Sequence, residues 1–418
     1  MNTKLNVAVA AALFAAATGA QAGITIPAGD WTLDIGGVVN AYYTNTRVSG
    51  EKTAGYGAFA AGRGSQDSLN GGGDFNRTQS NITTGLLPNY LSVSGKTRQN
   101  DLDVAFTISL NPGASTTSAG KQSSQQENRQ AFLTFGDASW GSVKLGKDLG
   151  IFASDAILND MTLLGVGGGA GGLAGNTTTL GRIGTGYTYA DWKSQVAYTS
   201  PNWNGFQFTA GVTQAFDAVT VNGLSGATSK NRGGSQPAFE GKASYEWTGD
   251  VAGKVWVSAI SQKVEELTSG GVNVGGDRVS AFDIGTTVKV ADFGLTGYYY
   301  DGRGLGQTVQ LNGGFDATGK RRDSKGGYVQ GTYTVPGVGT KLGVSWGQSK
   351  LEANSGDSLN GVAAQAGKDL KDSMWTVGAY HPLTKHLNLV AEYSDVKSEL
   401  GSLEGKAKTV SFGGILFF

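Results

Sequence analysis

The chain has 418 residues, with 33 Lys and Arg against 33 Asp and Glu, no cysteine, two histidines, 68 glycines and 7 prolines. Balanced charge gives no electrostatic footprint for a polyanion, so nucleic acid is not expected as a partner, and the absence of cysteine excludes disulfide staples and thiolate metal sites. Beyond residue 22 no stretch approaches the roughly 20 consecutive apolar residues of a membrane-spanning helix, although this average cannot see a strand that puts only alternate residues against lipid.

The first segment reads as an export signal. Lys4 provides a positive start, Val7 to Ala17 is a short apolar run, and Ala20-Gln21-Ala22 is a small-residue cleavage site. Residues 1–22 are therefore expected to be a signal peptide and 23–418 a single mature domain. Losing Lys4 leaves 32 basic residues against 33 acidic ones, a net charge of about −1.

From there the dominant period is two. Leu102, Val104, Phe106, Ile108 and Leu110 alternate with Asp101, Asp103, Ala105, Thr107 and Ser109, and Phe206, Phe208, Ala210 and Val212 do the same among polar or small neighbours. Phe282, Ile284, Thr286, Val288 and Val290 repeat the pattern, as do Leu342, Val344 and Trp346. About sixteen strands are expected, near 32–45, 77–95, 101–110, 126–136, 141–149, 193–200, 204–216, 238–247, 254–264, 278–289, 293–302, 325–335, 340–350, 372–381, 385–397 and 406–418.

A soluble sandwich also alternates, but connection lengths separate the two architectures. Seven short links, such as Lys96 to Asp101 and Pro382 to Lys385, alternate with eight long polar ones. Tight turns at one end and long loops at the other are expected of an all-β, antiparallel, up-and-down transmembrane barrel with both termini on the short-turn side. Trp192, Tyr198, Trp203, Trp247, Tyr298 to Tyr300, Trp375, Tyr380 and Tyr393 lie near strand ends and are read as interfacial girdles. Segments such as Ser115 to Gln126 and Val221 to Gln236 are read as exposed outward loops.

The longest connection, about Asp148 to Asp191, carries Asp155-Ala156-Ile157-Leu158-Asn159-Asp160-Met161. Here the chain resembles the general bacterial porins, closest to the Burkholderiales type. Arg129 to Asp137 and Gly141 to Lys147 are similar to the fourth and fifth strands of that family, and Asp155 to Met161 to the start of its inward-folded third loop. Gly181-Arg182-Ile183-Gly184 and Val196 to Trp203 are similar to the loop exit and the next hairpin, so the strong similarity covers about 126–216. The terminal strand, with Phe412, Leu416 and Phe418 on one parity, is similar to the assembly signal that the barrel-insertion machinery reads in such proteins.

The resemblance implies a homotrimer in the outer membrane, in contact with its lipid and lipopolysaccharide. It also implies a water-filled channel for passive diffusion of small hydrophilic solutes and ions, narrowed by loop carboxylates facing a basic wall across the lumen. Carried onto this chain, the acidic partners are Asp155 and Asp160, and the basic wall is Arg129, Arg182 and Lys144. Arg129 and Lys144 alternate with Phe132 and Val143, which are read as lipid-facing. Where the family often has Pro-Glu-Phe-Gly-Gly, this chain has Leu163-Leu164-Gly165-Val166-Gly167-Gly168, and the region of Tyr90 and Leu91 lacks an arginine frequent in the family. A weak anion preference follows, opposed by Glu127. A substrate-preferring channel and a structural or adhesive barrel are the alternatives.

No cofactor, metal site or enzymatic activity is expected. His381 and His386 flank a turn without further ligands, and no Ser/His/acid grouping suggests hydrolysis. The run Gly165 to Gly172 follows no buried strand, so it is read as a loop tip rather than a phosphate cradle.

Overall fold

The computed structural model describes residues 23–51, 74–115, 126–168, 178–221, 224–355, 357 and 367–418. The expected signal peptide, most of the segment between Ser115 and Gln126, and the glycine run beyond Gly168 lie outside the described residues.

The strands, in order, are β1 (Ile24–Ala28), β2 (Trp31–Glu51), β3 (Asp74–Thr83), β4 (Tyr90–Gln99), β5 (Leu102–Pro112), β6 (Gln126–Glu127), β7 (Ala131–Asp137), β8 (Gly141–Leu149), β9 (Trp192–Thr199) and β10 (Phe206–Thr213). They continue as β11 (Ala238–Trp247), β12 (Val251–Ser269), β13 (Val272–Val290), β14 (Phe293–Arg303), β15 (Asp323–Thr334), β16 (Lys341–Leu351), β17 (Leu370–Pro382), β18 (Leu387–Leu400) and β19 (Leu403–Phe417). β3 and β4 occupy one wall position with a break at 84–89, β6 and β7 another with a break at 128–130, and β1 is a short tail on β2. The wall is thus a closed, antiparallel barrel of 16 strands, sealed by β19 against β2 from Gly405↔Gly50 to Phe417↔Val38.

Alternation sets which way each side chain points. Phe282, Ile284, Val344, Trp346 and Phe412 face outward and are 46–57% exposed, while Asp283, Ser345 and Ser411 between them are buried on the lumen side. Closure needs an approach that only glycine allows at Gly37. The backbone of Phe418 both donates to and accepts from it at 3.1 and 2.7 Å, and a Cβ there would sit 2.3 Å from the Tyr90 carbonyl.

Three sequence expectations are corrected. Outward connections five and eight are not long loops: β12 and β13 run 19 residues each to a Gly270-Gly271 turn, and β18 and β19 meet at Gly401-Ser402. Positive φ at both Gly270 and Gly271 suits a two-residue hairpin turn. The polar ends of these strands rise beyond the lipid, where a strand needs no apolar face and the sequence period fades. Phe132 faces the lumen, because Leu133 is the exposed residue of that strand and Thr134 pairs with Lys144. Tyr298, Tyr300 and Tyr380 are buried inside the barrel rather than in a girdle, whereas Trp203, Tyr299 and Trp375 are exposed on the outside.

The outward rows make a direct expectation. Val344→Arg places a charge on the lipid face and should destabilise the barrel by about 2–4 kcal/mol if the site lies at mid-depth. Urea titration of refolding into phospholipid vesicles reads this, and no loss of stability would show that Val344 does not face lipid.

Candidate functional site

The connection from β8 to β9 turns into the barrel and is fastened to the inner wall at successive points. At its start the Glu240 carboxylate accepts from two consecutive backbone amides, Ile151 and Phe152, each at 2.8 Å. Glu240 is itself held by Lys193 at 2.6 Å and by the Thr213 hydroxyl at 2.8 Å. A short helix follows, α1 (Ser154–Leu158), introduced by Ala153 at positive φ. Asp155 in its first turn pairs with Lys242 at 2.8 Å and Lys254 at 2.7 Å. Burial pushes the Asp155 carboxyl up, but the two lysines outweigh it and hold the group down at about 2.

Beyond the helix, the Tyr328 hydroxyl donates to the Ala156 carbonyl at 2.8 Å, and Gln330 both accepts from the Met161 amide and donates to the Asn159 carbonyl. Asp160 caps a 3₁₀ turn (Met161–Leu164) by accepting from the Thr162 amide at 3.0 Å, and it also accepts from the Tyr187 hydroxyl at 2.9 Å. The loop tip repeats the device at its start. The buried Glu392 carboxylate accepts from the Val166 and Gly167 amides at 2.7 and 2.8 Å and from the Tyr380 hydroxyl at 2.6 Å. A Cβ on Gly165 would lie 2.2 Å from Glu392 Oε1, so glycine is what lets the carboxylate reach the backbone. On the return, Arg182 donates to the Met374 carbonyl at 2.9 Å and to the Ser345 hydroxyl, with Tyr328 beneath it. Tyr187, Tyr298 and Tyr328 pack ring to ring under this segment.

Two further outward connections fold over the loop. The Tyr189 amide donates to the Thr308 carbonyl at 2.9 Å, and the Val219 amide to the Leu311 carbonyl at 3.2 Å. Ala218, Val221, Leu224 and Ala227 are buried, which corrects the reading of Val221 to Gln236 as a wholly exposed loop. The buried Arg322 ties these segments together, pairing with Asp357 and donating to the Gly313, Phe315 and Ser225 carbonyls.

A cavity of about 390 Å³ lies between the inner face of this loop and the breaks in the second and fourth wall strands. Glu127, Arg129 and Lys147 reach it from the wall, and Asp191 and Trp192 from the junction with β9. Arg129 pairs with Glu127 at 2.8 Å and lies over the Trp192 ring. Burial pushes the Asp191 carboxyl up from its ordinary range.

Of the five charged residues that the family resemblance assigns to the constriction, Arg129 is the one that lines this cavity. Lys144 is on the lumen side, paired with Asp148 and over the Phe132 ring at 4.8 Å. Asp155, Asp160 and Arg182 are 3%, 4% and 0% exposed. Asp160 and Arg182 belong to the same loop and approach to 4.0 Å, instead of facing one another across the lumen. Phe412 and Leu416 point outward, and the Phe418 ring rests on Gly37. Glu240, Glu392 and Arg322 escaped the sequence reading. A charge on the lumen parity signals only that it is inside, not which backbone it grips. Among the described residues no group of acidic and histidine side chains could hold a metal.

The Gram-negative porin family profile matches residues 7–400. The outer membrane channel DcaP of Acinetobacter baumannii is similar in fold, with a TM-score of 0.59 and 16% identity over 92% of this chain and 97% of that one. OmpF of Salmonella typhi, in complex with daunomycin, has a TM-score of 0.54 and 15% identity over 93% and 100%. A trimer form of the outer membrane protein OmpT of Vibrio cholerae has a TM-score of 0.50 and 14% identity over 92% and 99%. At these identities the likeness is one of fold. No curated protein sequence matches the chain.

Two expectations follow from the fastenings. Glu392→Ala removes the acceptor of two tip amides, so hydrogen exchange at Val166 and Gly167 should speed up by about tenfold or more; unchanged exchange would mean that other contacts hold the tip. A carboxyl whose folded pKa is depressed contributes stability that is present above its ordinary range and lost as pH falls through the lowered value. Exchange over α1 should therefore stay slow from pH 7 to pH 4 in the wild type. In Asp155→Asn it should be faster throughout, by roughly five- to a hundredfold for a broken buried pair whose lysines stay partly hydrated.

Proposed function

The chain belongs to the Gram-negative porin family and forms an outer-membrane channel, and from that premise we propose where and how solutes pass. The path runs between the inner loop and the wall around Arg129, and transport is passive, with no covalent chemistry and no energy input. The observation that carries this reading is the cavity that remains beside Arg129 although the loop is fastened around much of the wall. The loop's hydrogen bonds run to β11, β15, β17, β18 and β2 and, from the Leu86 amide to the Gly165 carbonyl and from the Thr179 amide to the Gly85 carbonyl, to the break at 84–89, while the cavity extends to the break at 128–130.

Arg129 is proposed as the basic residue of the constriction, with Glu127 and Asp191 as its acidic counterparts. Lys144 contributes field from its pair with Asp148, and Asp155, Asp160 and Arg182 serve by holding the loop in place. Two cationic and two anionic side chains line the cavity, which supports weak charge selectivity and offsets the anion preference expected from the sequence. The trimer form of the Vibrio relative supports a homotrimer, the outward Phe412 and Leu416 support a terminal assembly signal, and residues 1–22 fit a cleaved leader.

Planar-bilayer recording of the refolded protein under a KCl gradient tests this. Insertion steps in threes and a reversal potential near zero are expected. Arg129→Ala should leave Glu127 unpaired and move the reversal potential toward cation preference. A correctly inserted barrel that carries no current would remove the diffusion reading.

A further inference from the structure

The two sides of the cavity differ in kind. Leu86 and Leu87 from the wall break and Ile157, Leu163, Leu180 and Ile183 from the inner loop present hydrocarbon to it, each 4–8% exposed, and the loop's polar lining beside them is Thr178 and Thr179, the latter's hydroxyl already donating to the Val166 carbonyl. The loop carboxylates Asp155 and Asp160 are committed to Lys242, Lys254, Thr162 and Tyr187 and are not among its lining groups. The charged side brings both signs close together. Arg129 pairs with Glu127, Lys147 donates to the Asn128 carbonyl at 2.8 Å, and Asp191 accepts from the Trp192 amide at 2.7 Å.

Each class of small solute meets this lining differently. A neutral sugar has hydroxyls all round, and those turned to the leucine side lose more water contacts than the few polar groups there replace. A polar ion of either sign meets its like charge as well as its opposite. An apolar neutral molecule leaves the ion pairs desolvated. A molecule with a carboxylate and an ammonium at one end and a hydrocarbon body at the other satisfies both sides, with Arg129 and Lys147 for the first, Glu127 and Asp191 for the second, and the leucine face for the third.

We infer that the cavity is a weak binding site for α-zwitterions bearing an apolar side chain, that is, amino acids of the leucine type. This deepens the diffusion-channel reading and rests on it. The channel then favours one chemical class of nutrient over others of equal size, through contacts that are individually weak enough to release it.

The test uses the full protein in planar bilayers with L-leucine, its isomer 6-aminohexanoate and arabinose as probes at equal concentration. Leucine should lower the KCl current saturably, at a half-blocking concentration about tenfold below that of its isomer, which carries the same charges and atoms without a separate hydrocarbon end. In Leu180→Ser the ratio of the two half-blocking concentrations should fall toward one, and because it is a ratio within one protein, any change in conductance drops out. Should that variant fail to insert, the wild type suffices: across alanine, valine and leucine the half-blocking concentration should fall by up to roughly fourfold per added carbon. Equal block by leucine and its isomer, or a flat series, in a conducting channel would overturn the inference. A silent barrel would instead overturn the channel reading beneath it.

Discussion

Everything in this molecule depends on satisfying backbone hydrogen bonds where no water can do so. A strand edge left open in lipid would strand a row of amides and carbonyls, each costing several kcal/mol, so the sheet closes, β19 on β2. Closure fixes the two faces. With the outside given over to lipid, every second residue on the inside can be polar or charged. Asp283, Glu240 and Glu392 sit there at 1–4% exposure without ever meeting hydrocarbon chains of the bilayer. The lumen wall is therefore an array of acceptors and donors whose positions are set by strand register.

That array solves the problem posed by an inner loop. A segment of irregular backbone inside a barrel brings its own unpaired amides, and it can stay in one place only where the wall meets them. Here two glutamates do so at well-separated points, each taking a pair of consecutive N–H groups, at Ile151 with Phe152 and at Val166 with Gly167. Because a carboxylate–amide hydrogen bond contributes about 1.5–3 kcal/mol, two such pairs hold the loop far more firmly than its short helix could. Arg182 and Tyr328 complete the fastening from the loop and the wall respectively. The stacked outer segments around Arg322 then cover the loop from above.

The barrel was legible in the sequence because its rule is local. Parity at Phe282 and Ile284, or at Leu342 to Trp346, needs only neighbours two residues apart, and sixteen strands follow from counting. Where the rule stops being local, the sequence reading failed. The hairpins at Gly270 and Gly401 have polar outer ends, so their strands lose the apolar period while staying paired, β18 with β19 in unbroken register and β12 with β13 through a bulge at Glu265-Glu266. Phe132 was misassigned because parity cannot be carried through the break at 128–130. Tyr298 and Tyr300 flank Tyr299 and so had to face the side opposite to it; with Tyr299 on the outside, they are inside. Grouping all three near a strand end hid that constraint.

The acidic residues of the loop show why charge type and spacing are insufficient to assign a site. Asp155 and a constriction carboxylate look alike in sequence, each an acid in a loop entering the lumen. What separates them is the number and origin of their partners. Asp155 faces two lysines from adjacent wall strands, so its field is neutralised within a few ångströms and little of it reaches the lumen. Glu127, by contrast, shares one guanidinium and keeps about a third of its side chain exposed. A charge spent on holding a loop cannot also act at a distance on a passing solute. The charges that do line the cavity are Glu127, Arg129 and Lys147 on the wall and Asp191 where the loop returns to β9, rather than the acids of α1 and the 3₁₀ turn.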